Sequence, residues 1–321
     1  MERILVTGAG GFVGHHLVRR LKEEGKWVRG VDIITPKFED TVADEFLQID
    51  LREMNNAKIS AEGIDTVYAL AADMGGMGFI AFNHAHILQN NLRINLNTIQ
   101  AAVDYNVKNF FFSSSACVYP EFKQTEEKVM ALKESDAFPA QPQDAYGWEK
   151  LTMEQIALYH QHDHGINVRI ARFHNIYGPN CEWENGREKV PAAICRKVAI
   201  AKLTNNPEVE IWGDGNQTRS FAYVTDCLDG IFKLMKSSYA EPLNLGSDRL
   251  ISINGLVDIV ASISGTKVVK KHIDGPEGVR GRNSDNKLIN ELFGWEPSVP
   301  LEEGLEKTYR WIEAEVIKKN T

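Results

Sequence analysis

Ile4-Leu5-Val6-Thr7-Gly8-Ala9-Gly10-Gly11-Phe12-Val13-Gly14 is the stretch that decides the architecture. Its apolar head reads as a short buried strand, and Val13, Leu17, Val18 and Leu21 beyond it fall on one side of a helix. Between the two, glycines at 8, 11 and 14 form a G-x-x-G-x-x-G turn, with Gly10 as an extra small residue. Such a turn lets phosphates approach backbone N–H groups closely, and the helix N-terminus behind it favours their negative charge. Glycine spacing alone also describes an ordinary turn. The strand–turn–helix context marks Gly8, Gly11, Phe12, Val13 and Gly14 as a dinucleotide-binding segment.

Working outward, Trp27 to Val31 reads as a second strand ending at Asp32, 24 residues past Gly8. A carboxylate there accepts hydrogen bonds from both adenosine ribose hydroxyls and repels a 2′-phosphate, so the expected cofactor is NAD rather than NADP. Strand alternation aims Arg29 elsewhere, and Lys37 is the nearby cation that argues the other way. Asp50 follows a third strand-like segment, Glu45 to Ile49; it either reaches the adenine rim or is an exposed turn residue. Further strands are expected at Ile64–Leu70, Phe110–Ser113 and Val168–Arg172, with helices near 87–105 and 146–162. Strands separated by helices of this length imply an α/β fold, a Rossmann-type parallel sheet with right-handed crossovers.

After Pro179 glycine, proline, asparagine and charged residues become frequent, and loops are expected to dominate. The expected division is a dinucleotide-binding domain over 1–178 and a smaller mixed α/β substrate-binding lobe over 179–321. The segment 220–246, with its helical run Thr225–Lys236, is expected to pack back on the first unit. Leu301–Lys319 reads as a helix with an exposed charged face.

Composition sets outer bounds. The 321 residues suit about two domains. With 43% hydrophobic and 25% charged residues, the chain is neither wholly disordered nor collagen-like. A net charge of -8 gives no general attraction for nucleic acid or anionic lipid. No run of 18 apolar residues appears, so no membrane span is expected. Met1-Glu2-Arg3 runs straight into the first strand, so no signal or transit peptide is expected. Cys117, Cys181, Cys195 and Cys227 show no C-x-x-C spacing and are expected to be reduced thiols, consistent with a cytoplasmic protein. His160, His162 and His164 alternate, as do His84 and His86, but residues two apart do not share a helix face; no metal site is expected.

The chemistry lies at Tyr146 and Lys150, spaced i, i+4 on one helix face. A nearby ammonium and a positively charged cofactor ring favour tyrosinate, which can take a proton from a hydroxyl. Y-x-x-x-K is common in isolation. Downstream of a dinucleotide segment, with Ser113-Ser114-Ser115 after an intervening strand, it gains specificity, and Ser115 is the best hydroxyl partner for a substrate oxygen.

These runs resemble the extended short-chain dehydrogenase/reductase family of nucleotide-sugar enzymes, and within it the branch that epimerises GDP-mannose at C3 and C5. The resemblance rests on Ala71–Phe79, Ser114–Lys123, Glu134–Ala137, Pro142–Gly147, Arg172–Pro179, Gly186–Lys189 and Gly275–Asn286, and covers nearly the whole chain. It implies transient oxidation of C4 of GDP-α-D-mannose with bound NAD, enolate formation, inversion at C3 and C5, and re-reduction to GDP-L-galactose, with GDP-L-gulose as the C5-only product. It also implies that Cys117 is the base and Lys189 the acid of a pair straddling the ring. Read without it, Cys117 serves equally as a small buried apolar residue, and Lys189 as a solvated loop lysine. Position agrees with the first reading: Cys117 lies just past the C-terminal end of a strand, where open α/β sheets bind ligands, and Lys150, Lys189 or Arg282 would supply the positive charge a thiolate needs.

The GDP-sugar would be held by Gly75, Ser115, Ala116, Cys117, Asn175, Glu188, Lys189, Lys197, Gln217, Thr218, Arg219 and Arg282. Lys197, Arg219 and Arg282 would offset the diphosphate, each alternatively a surface salt-bridge partner. His174 is expected to pack or hydrogen-bond rather than act as a base. The family also implies a homodimer built on the helices near 87–105 and 146–162. The main rival is the GDP-fucose synthase type, which reduces a 4-keto-6-deoxy sugar. Such enzymes use NADPH and carry histidine where Lys189 falls, so Asp32 and Lys189 argue against it. A 4,6-dehydratase needs a Thr-Asp-Glu triplet where this chain has Ser115-Ala116-Cys117. A nonenzymatic redox sensor on the same fold would not need Tyr146, Lys150, Cys117 and Lys189 together.

Overall fold

The computed structural model describes residues 2–320; Met1 and Thr321, at the outer ends of the expected units, lie outside the described residues. In chain order the elements are β1 (Arg3–Thr7), α1 (Phe12–Glu23), β2 (Trp27–Asp32), β3 (Glu45–Gln48), α2 (Met54–Ala61), β4 (Thr66–Ala69), α3 (Met77–Ile80), α4 (His84–Asp104) and β5 (Asn109–Ser115). They continue with α5 (Ala145–His164), β6 (Asn167–Phe173), β7 (Ile176–Tyr177), α6 (Val190–Thr204), β8 (Glu208–Trp212), β9 (Thr218–Ser220), β10 (Ala222–Tyr223), α7 (Val224–Met235) and β11 (Leu243–Leu245). The last are β12 (Leu250–Ser252), α8 (Ile253–Ser264), β13 (Val269–Ile273), β14 (Gly281–Arg282), α9 (Lys287–Phe293) and α10 (Leu301–Asn320).

Seven parallel strands form the main sheet in the order β11-β6-β5-β4-β1-β2-β3. Its central strands are apolar on both faces, as a sheet covered on both sides must be. Leu5, Val67, Phe110, Phe112, Val168 and Ile170 pack toward residues of α2, α4 and α5, such as Ala57, Ile99, Met153 and Ala157. Ile4, Val6, Tyr68 and Phe111 point the other way, into a core that includes Leu17 and Val18 of α1 and Ile231 of α7. Each fully buried large side chain contributes roughly 1.5–3 kcal/mol, so register errors here would be costly.

Beyond Pro179 the structure departs from the expected predominance of loops, since α6 to α10 occupy much of that stretch. α6 hid its period because Ala192, Ile194, Cys195, Val198, Ala199 and Ala201 are all buried, leaving little polar stripe to count. Pro191, which reads as a breaker, sits in its first turn, where the missing N–H costs nothing. α7 returns to the main sheet's face, with Arg20 of α1 bonded to Asp229 at 3.1 Å, and β11 adds to the sheet beside β6. One continuous core joins Ile4 and Val6 of β1 to Leu305 and Val316 of α10. The smaller sheets, β12-β9-β14, β8 with β13 and β7 with β10, lie in the chain's second half or link it to the end of β6. The turns after β1, β2, β5 and β6 open at one edge of the main sheet, where open α/β folds bind ligands.

Candidate active site

The turn after β1 is built by close packing. A Cβ on Gly14 would lie 2.0 Å from the Gly8 carbonyl oxygen, and one on Gly10 would lie 2.2 Å from that of Ile34. Gly11 caps α1 with no side chain over the helix end, so its first amides face outward. Asp32 accepts from the amides of Gly10 (2.9 Å), Ile33 (2.7 Å) and Ile34 (3.2 Å). Burial raises its carboxyl above the ordinary value, opposed by those amides. A glycine cradle at a bare helix N-terminus, next to a fixed carboxylate, fits the diphosphate and ribose of NAD. Lys37 is engaged by Glu182 at 3.0 Å, and Arg29 is spent on Glu45 and on the carbonyls of Ile59, Ser60 and Glu62. Asp50 is taken up by Arg52, which donates to it through Nε at 3.0 Å and Nη2 at 2.6 Å. The sequence reading passed over Gly10 as a required glycine, and also Ile33 and Ile34, which expose an apolar wall beside Asp32.

At the end of β5 the chain turns through a short 3-10 segment, Ala116–Val118, capped by Ser115, whose Oγ accepts from the Cys117 amide at 3.1 Å. Asp144 caps α5 by accepting from Gly147 N–H at 2.8 Å, which sets Tyr146 and Lys150 on the face turned to this segment. The Ser115 hydroxyl lies close to the Tyr146 side chain and favours its ionised form. Lys150 is buried, its ammonium 5.5 Å from the Tyr146 ring centroid. The expected tyrosinate is not favoured by the chain alone. Burial dominates and pushes the phenol well up, Cys117, Glu149 and Asp144 add to this, and only Ser115 opposes it. The reason is the burial itself; Lys150, 3.7 Å from Glu149, stays beside the ring, and the positive cofactor ring is a further source of stabilisation.

Cys117 is half-buried, and Arg282 Nη1 donates to its sulfur at 3.3 Å. Of the three cations expected to serve the thiol, Arg282 makes this contact. Arg282 is fixed in turn by Gln124, whose Oε1 accepts from Nε at 2.6 Å. Pairing of β14 with β9 puts Arg282 directly beside Arg219. Burial lowers the Arg219 guanidinium to about 9, and Arg282 pushes it the same way. Two adjacent guanidiniums in a buried setting call for an anion of more than one charge.

Lys189 enters from the segment before α6. The residue is exposed, but desolvation by the protein around its ammonium pulls it below the ordinary lysine range, and Cys117 is the strongest of the groups pulling it back. Its backbone is located by the loop after β4: Gly76 N–H donates to the Arg187 carbonyl at 3.0 Å, and a Cβ on Gly76 would lie 2.3 Å from the Glu188 carbonyl oxygen. Gly75 lies against the Arg187 backbone in the same loop. Arg187 bonds Asp73 at 2.9 Å and stacks on Phe79 at 3.9 Å. Asp73, Phe79, Arg187 and Gln124 were not singled out from sequence; the first three stand in the quoted runs 71–79 and 186–189, whose joint occurrence was the available signal.

The remaining candidates are more dispersed. Glu188 accepts from Arg196 at 2.8 Å through one oxygen, while its other oxygen is buried without a partner. Gln217 donates to the Trp212 carbonyl at 2.9 Å and leaves Oε1 buried and unpaired. Thr218 donates to the Glu127 carbonyl, and Asn175 Nδ2 to that of Ser220 at 3.0 Å. Lys197 donates to the Glu210 carbonyl at 2.6 Å. Ala116 is buried in the turn itself. His174 is fully buried, bonded to Asn244 at 2.9 Å, and pushed down to about 3 by burial.

Residues 4–246 match the family described as NAD dependent epimerase/dehydratase. The chain is 51% identical to GDP-mannose 3,5-epimerase of Arabidopsis thaliana, covering 99% of this chain and 84% of that protein. It is 28% identical to GDP-L-fucose synthase 1 of the same plant, over 96% of this chain and 92% of the other. The fold matches a UDP-glucose 4-epimerase of Thermotoga maritima, solved with UDP-glucose, at a TM-score of 0.86 and 26% identity over 98% of this chain and 99% of that one. The bare glycine turn beside Asp32 and the Ser115, Tyr146 and Lys150 cluster thus sit in a chain that belongs to the NAD dependent epimerase/dehydratase family.

Proposed function

We propose that this protein inverts GDP-α-D-mannose at C3 and C5, yielding GDP-L-galactose, with GDP-L-gulose from inversion at C5 alone. The observation that carries the reading is the convergence of Cys117, held by Arg282, with Lys189 beside the Ser115–Tyr146–Lys150 cluster. The 51% identity to a GDP-mannose 3,5-epimerase supports the choice of substrate, against 28% for a GDP-L-fucose synthase.

Gly8, Gly11, Phe12, Val13, Gly14 and Asp32 would hold NAD, with Tyr146 and Lys150 at its reactive end. When bound, NAD supplies reversible oxidation at C4 of the sugar. Tyr146, beside Ser115, accepts the C4 hydroxyl proton. A keto group at C4 makes the C3 and C5 protons acidic, since each carbanion is delocalised as an enolate. Cys117 removes a proton from one face, and the guanidinium of Arg282 stabilises negative charge on its sulfur. Lys189, whose ammonium is held below the ordinary lysine range, delivers a proton to the opposite face. Inversion needs such a pair. Arg219 and Arg282 balance the diphosphate, and Gly75, Asn175, Glu188, Gln217 and Thr218 complete the enclosure.

We also propose a homodimer through α4 and α5, whose surfaces expose Leu96, Trp148 and Tyr159. The substrate reading is tested by incubating the protein with GDP-mannose and NAD in D₂O and following the sugar by NMR. Deuterium at C3 and C5 is expected. Intact nucleotide-sugar binding with no exchange overturns it.

A further inference from the structure

The helix that carries Tyr146 and Lys150 also carries Glu149, for which the chemistry above has no task. Its side chain is completely buried. A carboxylate in that position is costly unless its oxygens are paired. Asn95 of α4 donates to Oε1 at 2.7 Å, and Asn91 of the same helix lies nearby. Oε2 has no partner within hydrogen-bond distance and faces the Lys150 ammonium at 3.7 Å. Lys150 is as deeply buried, with its ammonium 4.8 Å from the Phe112 ring centroid and 5.5 Å from that of Tyr146. Among the described residues, Glu149 is the carboxylate within ion-pair distance of it.

We propose that Glu149 is a positioning residue for Lys150, a fixed counter-charge that keeps the buried ammonium charged and held against Tyr146. α4 supplies the rigidity: Asn95 fixes the carboxylate from the side, and the neighbouring Asn91 bonds the backbone of Asp73 on both its N–H and its carbonyl. The surrounding groups point the same way. Burial pulls the lysine below its usual range, and Glu149 is the strongest influence restoring it, ahead of Cys117 from the turn after β5 and Glu154 from α5. Burial pushes the phenol of Tyr146, on the same face, up. A charged ammonium can donate to ribose hydroxyls and oppose a phenolate; a neutral amine does neither well.

The test compares wild type, Glu149→Gln and Glu149→Asp by NAD affinity as a function of pH, which needs no substrate. Removing the carboxylate lets the lysine lose its proton at lower pH. Glu149→Gln is therefore expected to bind NAD about as well as wild type near pH 6 and at least about 10-fold more weakly near pH 9, its alkaline limb displaced downward by roughly one unit or more. Glu149→Asp is expected to recover part of that displacement. In a Lys150→Met background, Glu149→Gln is expected to add no further loss. An unshifted limb, or an equal loss in both backgrounds, overturns the proposal. Should Glu149→Gln alone fail to fold, the double variant decides: a folded double variant supports the charge pairing, and an unfolded one refutes it. Turnover of GDP-mannose is a second readout that rests on the proposed function; kcat is expected to show the same displaced limb with KM changed less than about 2-fold. Absence of turnover in wild type would refute that function and leave the NAD titration to judge Glu149.

Discussion

Arg282 donates through Nη1 to the sulfur of Cys117 at 3.3 Å, across 165 positions of sequence. The contact joins β14, in the chain's second half, to the turn after β5, so the thiol gains its positive partner only when the two halves are assembled. Arg282→Leu is expected to slow iodoacetamide alkylation of Cys117 by about 10-fold near neutral pH, because negative charge on sulfur loses a charge-assisted bond. NAD affinity is expected to be unchanged. Equal alkylation rates in the two proteins would show that the guanidinium does not influence the thiol.

Gly76 fixes the segment that bears Lys189. Its missing Cβ makes room for the Glu188 carbonyl oxygen, a backbone atom that cannot swing aside. Gly76→Ala is expected to cut epimerisation by about 100-fold, since displacements near 1 Å at a reacting group have that effect. NAD binding is expected to hold. Retention of full activity would mean that Lys189 does not depend on this packing.

His174 gives a stability signature. Its folded-state value lies near 3 against an ordinary 6.5. Between these two the unfolded chain binds the extra proton, so stability is complete above pH 6.5 and falls as pH drops through the window. The contribution between pH 6.5 and 5 is about 2 kcal/mol. His174→Gln keeps a donor for Asn244 and cannot titrate. Denaturant unfolding at the two pH values is expected to show a smaller loss for the variant by about that amount, and an identical loss would contradict the burial argument.

How much of this was legible in sequence varies by element. β1 to β6, α1, α4 and α5 follow from periodicity, because both-face burial leaves Val, Ile, Leu and Phe runs bounded by turn residues, whereas the short α2 and α3 gave no such signal. Gly8, Gly14 and Asp32 were readable because a strand, a turn and a helix fall in order around them. α6 was not, because it is buried on most sides and begins with a proline. The pairing of Arg219 with Arg282 was not either, since a short parallel bridge between β9 and β14 leaves no period to detect. Lys189 illustrates the limit most clearly: surrounded in sequence by Gly186, Arg187 and Glu188, it reads as a solvated loop lysine, and it is exposed, yet Cys117, Cys181 and Cys227 are among the groups around it, which no local spacing shows.

The most direct measurement follows deuterium entry and inversion separately, by NMR of GDP-mannose incubated with NAD in D₂O, for Cys117→Ser and Lys189→Met. With Lys189 gone, the thiol can still remove and return a proton on its own face, so deuterium is expected to enter without inversion; with Cys117 gone, no deuterium is expected to enter, while NAD remains bound. Inverted product from Lys189→Met, or full exchange in Cys117→Ser, would contradict the two-group account.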